Sequence, residues 1–373
     1  MKAIAVFPHD RQVKLVEVHP PWVMGPNSVK LQVLEIGICG TDREICRFHY
    51  GTPPSGQQHL LIGHEMLGRV VAVGAGVSRV LPGDLVIPMV RRPCPHDWCV
   101  ACRSGRQDFC YSGDFTERGI KDQHGFMTEW VVDDEDFMVP VPADLREVAV
   151  LVEPLTIAEK ALIQLHDVQN RLPWTCPVQS QRLGITHQCH RAVVLGAGPV
   201  GLLGAMALRL AGFQVWVYSR ERGPSRKTQI VNMIGATYVS AEETDVNQLA
   251  EMVGNIDLVY EAVGASKLAF QVLSRLGTNG VFVFTGVPGR MAPIEIDTDQ
   301  LMRDMVLKNQ IMFGTVNAGR DAFEAAIRDL REFTSRWPQA VRDLFTSHVS
   351  IQEAPAKLLD GQGSIKDVIR IAD

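Results

Sequence analysis

A chain of 373 residues is too long for one ordinary hydrophobic core, so two domains separated by a cleft are expected. Its composition, 46% hydrophobic and 21% charged, is that of a globular protein. A net charge of −5 argues against a nucleic-acid or anionic-membrane surface and leaves small molecules as the expected ligands.

The start, MKAIAVFPHD, puts Pro8, His9 and Asp10 where a signal peptide needs an apolar stretch. Export is therefore not expected, a cytoplasmic setting is, and the thiols are expected to stay reduced. From Met1 to about Pro142, short alternating stretches such as Val29, Leu31 and Val33 are punctuated by Gly and Pro, which predicts a β-rich, barrel-like lobe. Within it, Cys39-Gly40-Thr41-Asp42 and Gly63-His64-Glu65 supply a thiolate, an imidazole and a carboxylate. Three such ligands with one open position make a catalytic zinc site, and Glu153 in VEPL is a candidate fourth group. Cys94, Cys99, Cys102 and Cys110 follow with the spacing C-x4-C-x2-C-x7-C, which suits one tetrahedral structural zinc better than two disulfides.

Between Ala149 and Leu165 the period turns helical, interrupted near its start by Pro154. Residues 166 to 190 have neither period and read as a connecting excursion, in which Cys176 and Cys189 are expected to be spare buried thiols. The apolar run from Ala192 to Leu208 contains Pro199 and four glycines, so it predicts a strand, a turn and a helix rather than a membrane span. From Arg191 onward apolar strands alternate with amphipathic helices, which predicts a doubly wound parallel sheet. Gly196, Gly198 and Gly201, with Pro199 and Val200 between them, form G-x-G-x-x-G after a strand and before a helix, the context of a dinucleotide pyrophosphate site. At the tip of the next strand, Ser219, Arg220 and Arg222 favour a 2′-phosphate and hence NADP, while Glu221 keeps NAD open. After about Asn317 a helical stretch and the terminal KDVIRI segment are expected to return to the first lobe.

Taken in this order, Cys39-x-Thr41, GHE, the four-cysteine lobe and GAGPVG resemble the zinc-dependent medium-chain alcohol dehydrogenases over essentially the whole chain. CGTDREI, VRRPC, GRQDFC, SGDFTERGI, HGFMTEW, VEPL, GATYV and GTVNAG look like the microbial glucose dehydrogenase branch. The resemblance implies an α/β protein with a GroES-like catalytic domain over residues 1–188, completed by 318–373, and a Rossmann domain over 189–317. It implies oxidation of an aldose, glucose or galactose, at C1 to the lactone, with hydride passing to NADP or NAD. Cys39, His64 and Glu65 become ligands of the catalytic zinc, and Glu153 alternates between metal and sugar. Thr41 bonds the reacting hydroxyl, Glu117 and Asn317 hold sugar hydroxyls, and Asn317 also lies near the nicotinamide. Two zinc ions per chain and a homo-oligomer, dimer or tetramer, are implied. Ile157 departs from the polar residue of some sugar-binding relatives, and GAGPVG is nearer the broad alcohol-dehydrogenase form. A polyol or secondary-alcohol dehydrogenase shares every motif, and a nucleotide-sensing protein without catalysis is the alternative of another class.

Overall fold

The strand Ser28–Ile38 organises the first unit of the chain. It begins as a half-buried strand, with Val29, Leu31 and Val33 inward and Ser28, Lys30 and Gln32 partly exposed. A register shift at Val33/Glu35 then breaks the alternation, and every residue from Val33 to Ile38 is buried. The computed structural model describes residues 1–22, 25–174, 176, 188–289, 293–360 and 363–372. This unit comprises Met1–Thr156, Asn317–Arg331 and Phe345–Asp373.

Its main sheet runs in the order Met138–Val141, Leu85–Pro88, Glu65–Val73, Ser28–Ile38, Lys366–Arg370, Phe345–Ser350, and Trp130–Asp134 also pairs with Ser28–Ile38. The KDVIRI segment thus lies antiparallel to the central strand, with Asp367 opposite Ile38. Two three-stranded sheets complete the lobe, one from Gln12–Glu17, Lys2–Phe7 and Leu60–Leu61, the other from Arg91–Arg92, Thr116–Arg118 and Asp122–Gln123. Ile4, Val6, Val33, Ile36, Ile62, Met66 and Phe126 pack in one core between these sheets. The β-rich reading of the first 142 residues therefore holds. The helix Val152–Gln169 is not interrupted by Pro154, as the sequence suggested, because that proline stands in its first turn, where backbone N–H groups need no helical partner.

The second unit, Ile157–Val316 with Glu332–Leu344, carries a six-stranded parallel sheet. Its order is Thr237–Ser240, Gln214–Ser219, Arg191–Leu195, Leu258–Glu261, Val281–Phe284, Ile311–Gly314. Numbered along the chain this is 3-2-1-4-5-6, the doubly wound arrangement, whose direction of winding reverses beside Arg191–Leu195. Continuous apolar strands such as AVVL, fully buried, and VFVF, buried except at Phe284, are the pattern of a parallel sheet covered on both faces.

Cys176 and Cys189 correct an expectation. They are bonded to each other as a disulfide, and Cys189 is exposed, so they are not spare buried thiols and not both reduced. Their pairing could not be read from their spacing; residues 175 and 177–187 of this excursion lie outside the described residues. Among the described residues, no helix is long and apolar enough to cross a membrane.

Candidate active site

The end of the central strand builds the first half of the site. Cys39 follows Ile38 with extended backbone and starts the helix Gly40–Cys46, so its Sγ stands at a strand-to-helix corner. Asp42, fully buried, accepts the Cys39 backbone N–H through Oδ2 at 2.9 Å, and its Oδ1 lies 3.3 Å from His64 Nδ1 without hydrogen-bond alignment. Thr41 is partly exposed, and its hydroxyl makes no hydrogen bond among the described residues.

The second half comes from the neighbouring strand Glu65–Val73, whose first residue stands opposite Gly37. A Cβ at Gly37 would run into Glu65 Oε2, so the missing side chain is what makes room for this carboxylate. Gly63, at φ +93, has the Met127 backbone N 3.0 Å from where its Cβ would be, which fixes the approach to His64. On the other flank, Lys366 is buried and donates to Glu65 Oε2 and, at 3.3 Å, to the Ile38 carbonyl. The ligand atoms of Cys39, His64 and Glu65 all lie within 4.8 Å of one another. Their chemistry, one thiolate, one imidazole and one carboxylate, is a zinc donor set with a coordination position left open, so the residues fit the metal.

Burial works against charge on His64, but the Asp42 carboxylate and the Cys39 side chain hold its pKa well above that of a free imidazole. A cation in place of that proton would relieve the same field. Glu153 is not one of the close trio but belongs to its electrostatic neighbourhood: burial, joined by Glu65, raises its carboxyl to about 7 against the pull of His64 and Lys366. Burial also opposes charge on Lys366, yet the Glu65 carboxylate raises it.

Cys94, Cys99, Cys102 and Cys110 form a separate cluster, again with all ligand atoms within 4.8 Å, and none is in a disulfide. The short helix Val100–Arg103 and the turn Gln107–Phe109 carry two of the intervening segments. Burial disfavours the Cys110 thiolate, but hydrogen bonding from Ser112 outweighs it and brings the group down to about 6. Four sulfurs so placed fit a closed tetrahedral zinc.

Glu117 and Asn317, 200 residues apart in sequence, are joined by an Asn317 Nδ2 to Glu117 Oε1 bond of 2.9 Å. Asn317 adopts φ +59, a left-handed conformation that asparagine tolerates. Buried Arg91 donates to the same Oε1 from Nε at 3.0 Å and from Nη2 at 2.9 Å.

In the second unit, Gly196 at φ +99 makes the turn out of the strand Arg191–Leu195. A Cβ on Gly201 would collide with the Gly196 carbonyl, whereas one on Gly198 would meet nothing within 4 Å. Gly198 caps the helix Pro199–Leu210, whose first residues are Pro199 and Val200, so open space lies at a helix N-terminus, as an anion requires. At the next strand end, Arg220 is exposed and unpaired among the described residues, while Arg222 pairs with Glu242 at 3.1 Å. Glu221 is tied to Lys227 and accepts from Ser225 Oγ at 3.2 Å.

Sequence reasoning assigned no role to Asp42, Gly37, Lys366 or Arg91. Asp42 had a readable signal, an acidic residue three positions after a helix-initiating Cys39. The other three act across strands and had none.

Among known families, the description "Alcohol dehydrogenase GroES-like domain" matches residues 25–143 and "Glucose dehydrogenase C-terminus" matches residues 146–371. The chain is 36% identical to glucose 1-dehydrogenase of Methanocella arvoryzae over 372 residues, covering 100% of this chain and 99% of that protein. It is also 36% identical to glucose 1-dehydrogenase of Thermoproteus tenax, with the same coverage. Haloferax mediterranei glucose dehydrogenase, solved in complex with NADP, Zn and gluconolactone, superposes with a TM-score of 0.89 at 30% identity, covering 100% of both chains.

Proposed function

This chain belongs to the zinc-dependent medium-chain dehydrogenases, in their glucose dehydrogenase branch, and we propose that it oxidises an aldose such as glucose at C1 to the lactone with NADP as hydride acceptor. The observation that carries the reading is the close trio Cys39, His64 and Glu65 beside the unengaged hydroxyl of Thr41. When bound there, zinc supplies Lewis acidity to the anomeric hydroxyl. Cys39, His64 and Glu65 would hold it, with Glu153 in reach of the same field. Thr41 accepts the hydroxyl proton's hydrogen bond and starts its passage outward. As the O–H proton leaves, the C1–H bond breaks, its electron pair and hydrogen go to C4 of the nicotinamide, and C1–O becomes the lactone carbonyl. Glu117 and Asn317 hold ring hydroxyls so that C1 is presented in one orientation. The cysteine lobe holds the second zinc.

Gly196, Gly198, Pro199, Val200 and Gly201 cradle the pyrophosphate, and Ser219, Arg220 and Arg222 face the adenosine ribose in this reading. Arg220 is the cation free to take a 2′-phosphate, and the engagement of Glu221 by Lys227 and Ser225 removes the acid that an NAD ribose would use. Residues 189–317 serve as the nucleotide domain and 1–188 with 318–373 as the catalytic one. We further assign self-association to the sheet edge Ile311–Gly314 and the helix Thr298–Leu307. That helix buries none of its residues and leaves Met302, Val306 and Leu307 exposed. A dimer or tetramer is the assembly that fits.

The test is turnover of a panel of aldoses, sorbitol and secondary alcohols with NADP and with NAD, together with metal quantification. Lactone formation from an aldose and two zinc ions per chain are expected. Faster turnover of open-chain alcohols than of any aldose would replace this reading with a polyol dehydrogenase, and no turnover at all would leave a nucleotide-binding protein.

A further inference from the structure

Glu117 is held asymmetrically. A carboxylate usually meets a guanidinium with both oxygens, each taking one parallel N–H. Here Arg91 Nε and Nη2 both donate to Oε1, and Asn317 Nδ2 adds a third donor at 2.9 Å to the same oxygen. Oε1 has no acceptor capacity left, whereas Oε2 makes no hydrogen bond among the described residues. Arg91 itself cannot turn. Its guanidinium lies over the Phe115 ring at 3.8 Å, and Nη1 donates to the Asp108 carbonyl at 3.3 Å. Asp108 is buried in the turn that precedes Cys110, and its carboxylate is clasped by Arg106 at 3.1 and 3.0 Å.

We infer that Arg91 is a positioning residue for sugar recognition: by saturating Oε1 it commits Glu117 to read one substrate hydroxyl through Oε2 alone. This rests on the reading of the chain as an aldose dehydrogenase. The turn ahead of Cys110 anchors Arg91, so the cysteine lobe stiffens the sugar reader as well as its own loop. A hydroxyl donated to a charged, fixed acceptor is discriminated strongly from its absence, because the deoxy sugar leaves Oε2 buried and unpaired.

The experiment measures kcat/KM of the zinc- and NADP-loaded enzyme for glucose and its 2-, 3-, 4- and 6-deoxy analogues, in wild type, Glu117→Gln and Arg91→Met. Wild type should penalise one of these deoxy sugars by about tenfold or more. Both variants should shrink that one penalty to about two- or threefold while leaving the ratios for the other analogues in place, and NADPH affinity should stay as in wild type. The double variant should lose no more discrimination than either single one. An Arg91→Met enzyme that is slower on every sugar by the same factor, with the wild-type ratios kept, would mean that Arg91 only supports the fold and would overturn the inference. If Arg91→Met does not fold, Arg91→Lys decides: an intermediate penalty with a raised KM for glucose supports the role, and wild-type ratios and KM overturn it. A wild-type enzyme that oxidises glucose but ignores all four deletions removes Glu117 as a reader. One that oxidises no aldose removes the functional reading itself.

Discussion

Asp42 Oδ1 and His64 Nδ1 lie 3.3 Å apart with both side chains buried, and the other oxygen of the same carboxylate holds the Cys39 backbone N–H. One acid thus holds the Cys39 backbone by a hydrogen bond and faces the His64 ring by charge. Outer partners of this kind orient the imidazole and raise its basicity toward the ion. Asp42→Asn should lower zinc affinity at the catalytic site by about 10- to 100-fold while the cysteine lobe keeps its metal. Competition with a chromophoric chelator measures it, and unchanged affinity would show that Asp42 serves only the helix start.

Gly37 makes room for Glu65. Gly37→Ala should cost about 1–3 kcal/mol through overpacking, and should weaken zinc binding because the carboxylate and its Lys366 partner must shift together. Thermal melting with and without zinc separates the two effects. A variant that retains both the melting temperature and the metal affinity would show that the strand pair gives way there without consequence.

Arg220 offers an exposed guanidinium, unpaired among the described residues, just after the strand Gln214–Ser219. Arg220→Asp should cost NADP about 2 kcal/mol or more in transition-state binding, through a lost charge-assisted contact and added repulsion, and cost NAD much less. The readout is the ratio of kcat/KM for the two cofactors at saturating sugar. If the ratio does not move, Arg220 is only a solvated surface cation.

His124 gives a pH signature away from the metal. Its Nδ1 accepts the Leu61 N–H at 3.1 Å, so Nε2 carries the proton and donates to Gln57 Oε1 at 2.6 Å. Burial, with the positive fields of His59 and Arg118, lowers its pKa to about 4. Between about pH 6.5, where the unfolded chain takes up this proton, and pH 4, the folded protein stays neutral here, so stability falls as pH falls. In His124→Gln the stability curve should be flatter through that window by up to one proton. Denaturant unfolding at several pH values checks it, and parallel curves would exclude His124 from the acid transition.

The sequence by itself determined the division into a β-rich part and an alternating α/β part, the four-cysteine cluster and the glycine turn. All of these are written in local periodicity or short spacing: AVVL followed by GAGPVG is a strand, turn and helix in any context, and cysteines at Cys99 and Cys102 cannot be far apart. Cys39 and His64 were legible as ligand types, though their approach depends on the pairing of Ser28–Ile38 with Glu65–Val73. What only the tertiary structure decided is long-range. Lys366 reaches Glu65 because the last strand is antiparallel to Ser28–Ile38, and Asn317 meets Glu117 across 200 residues. Cys176 and Cys189 are bonded to each other, a pairing that their spacing did not announce. Side chains of this kind carry no periodic signal, because what makes them functional is strand register, and register is set by the burial of a whole sheet rather than by the residues on either side of them.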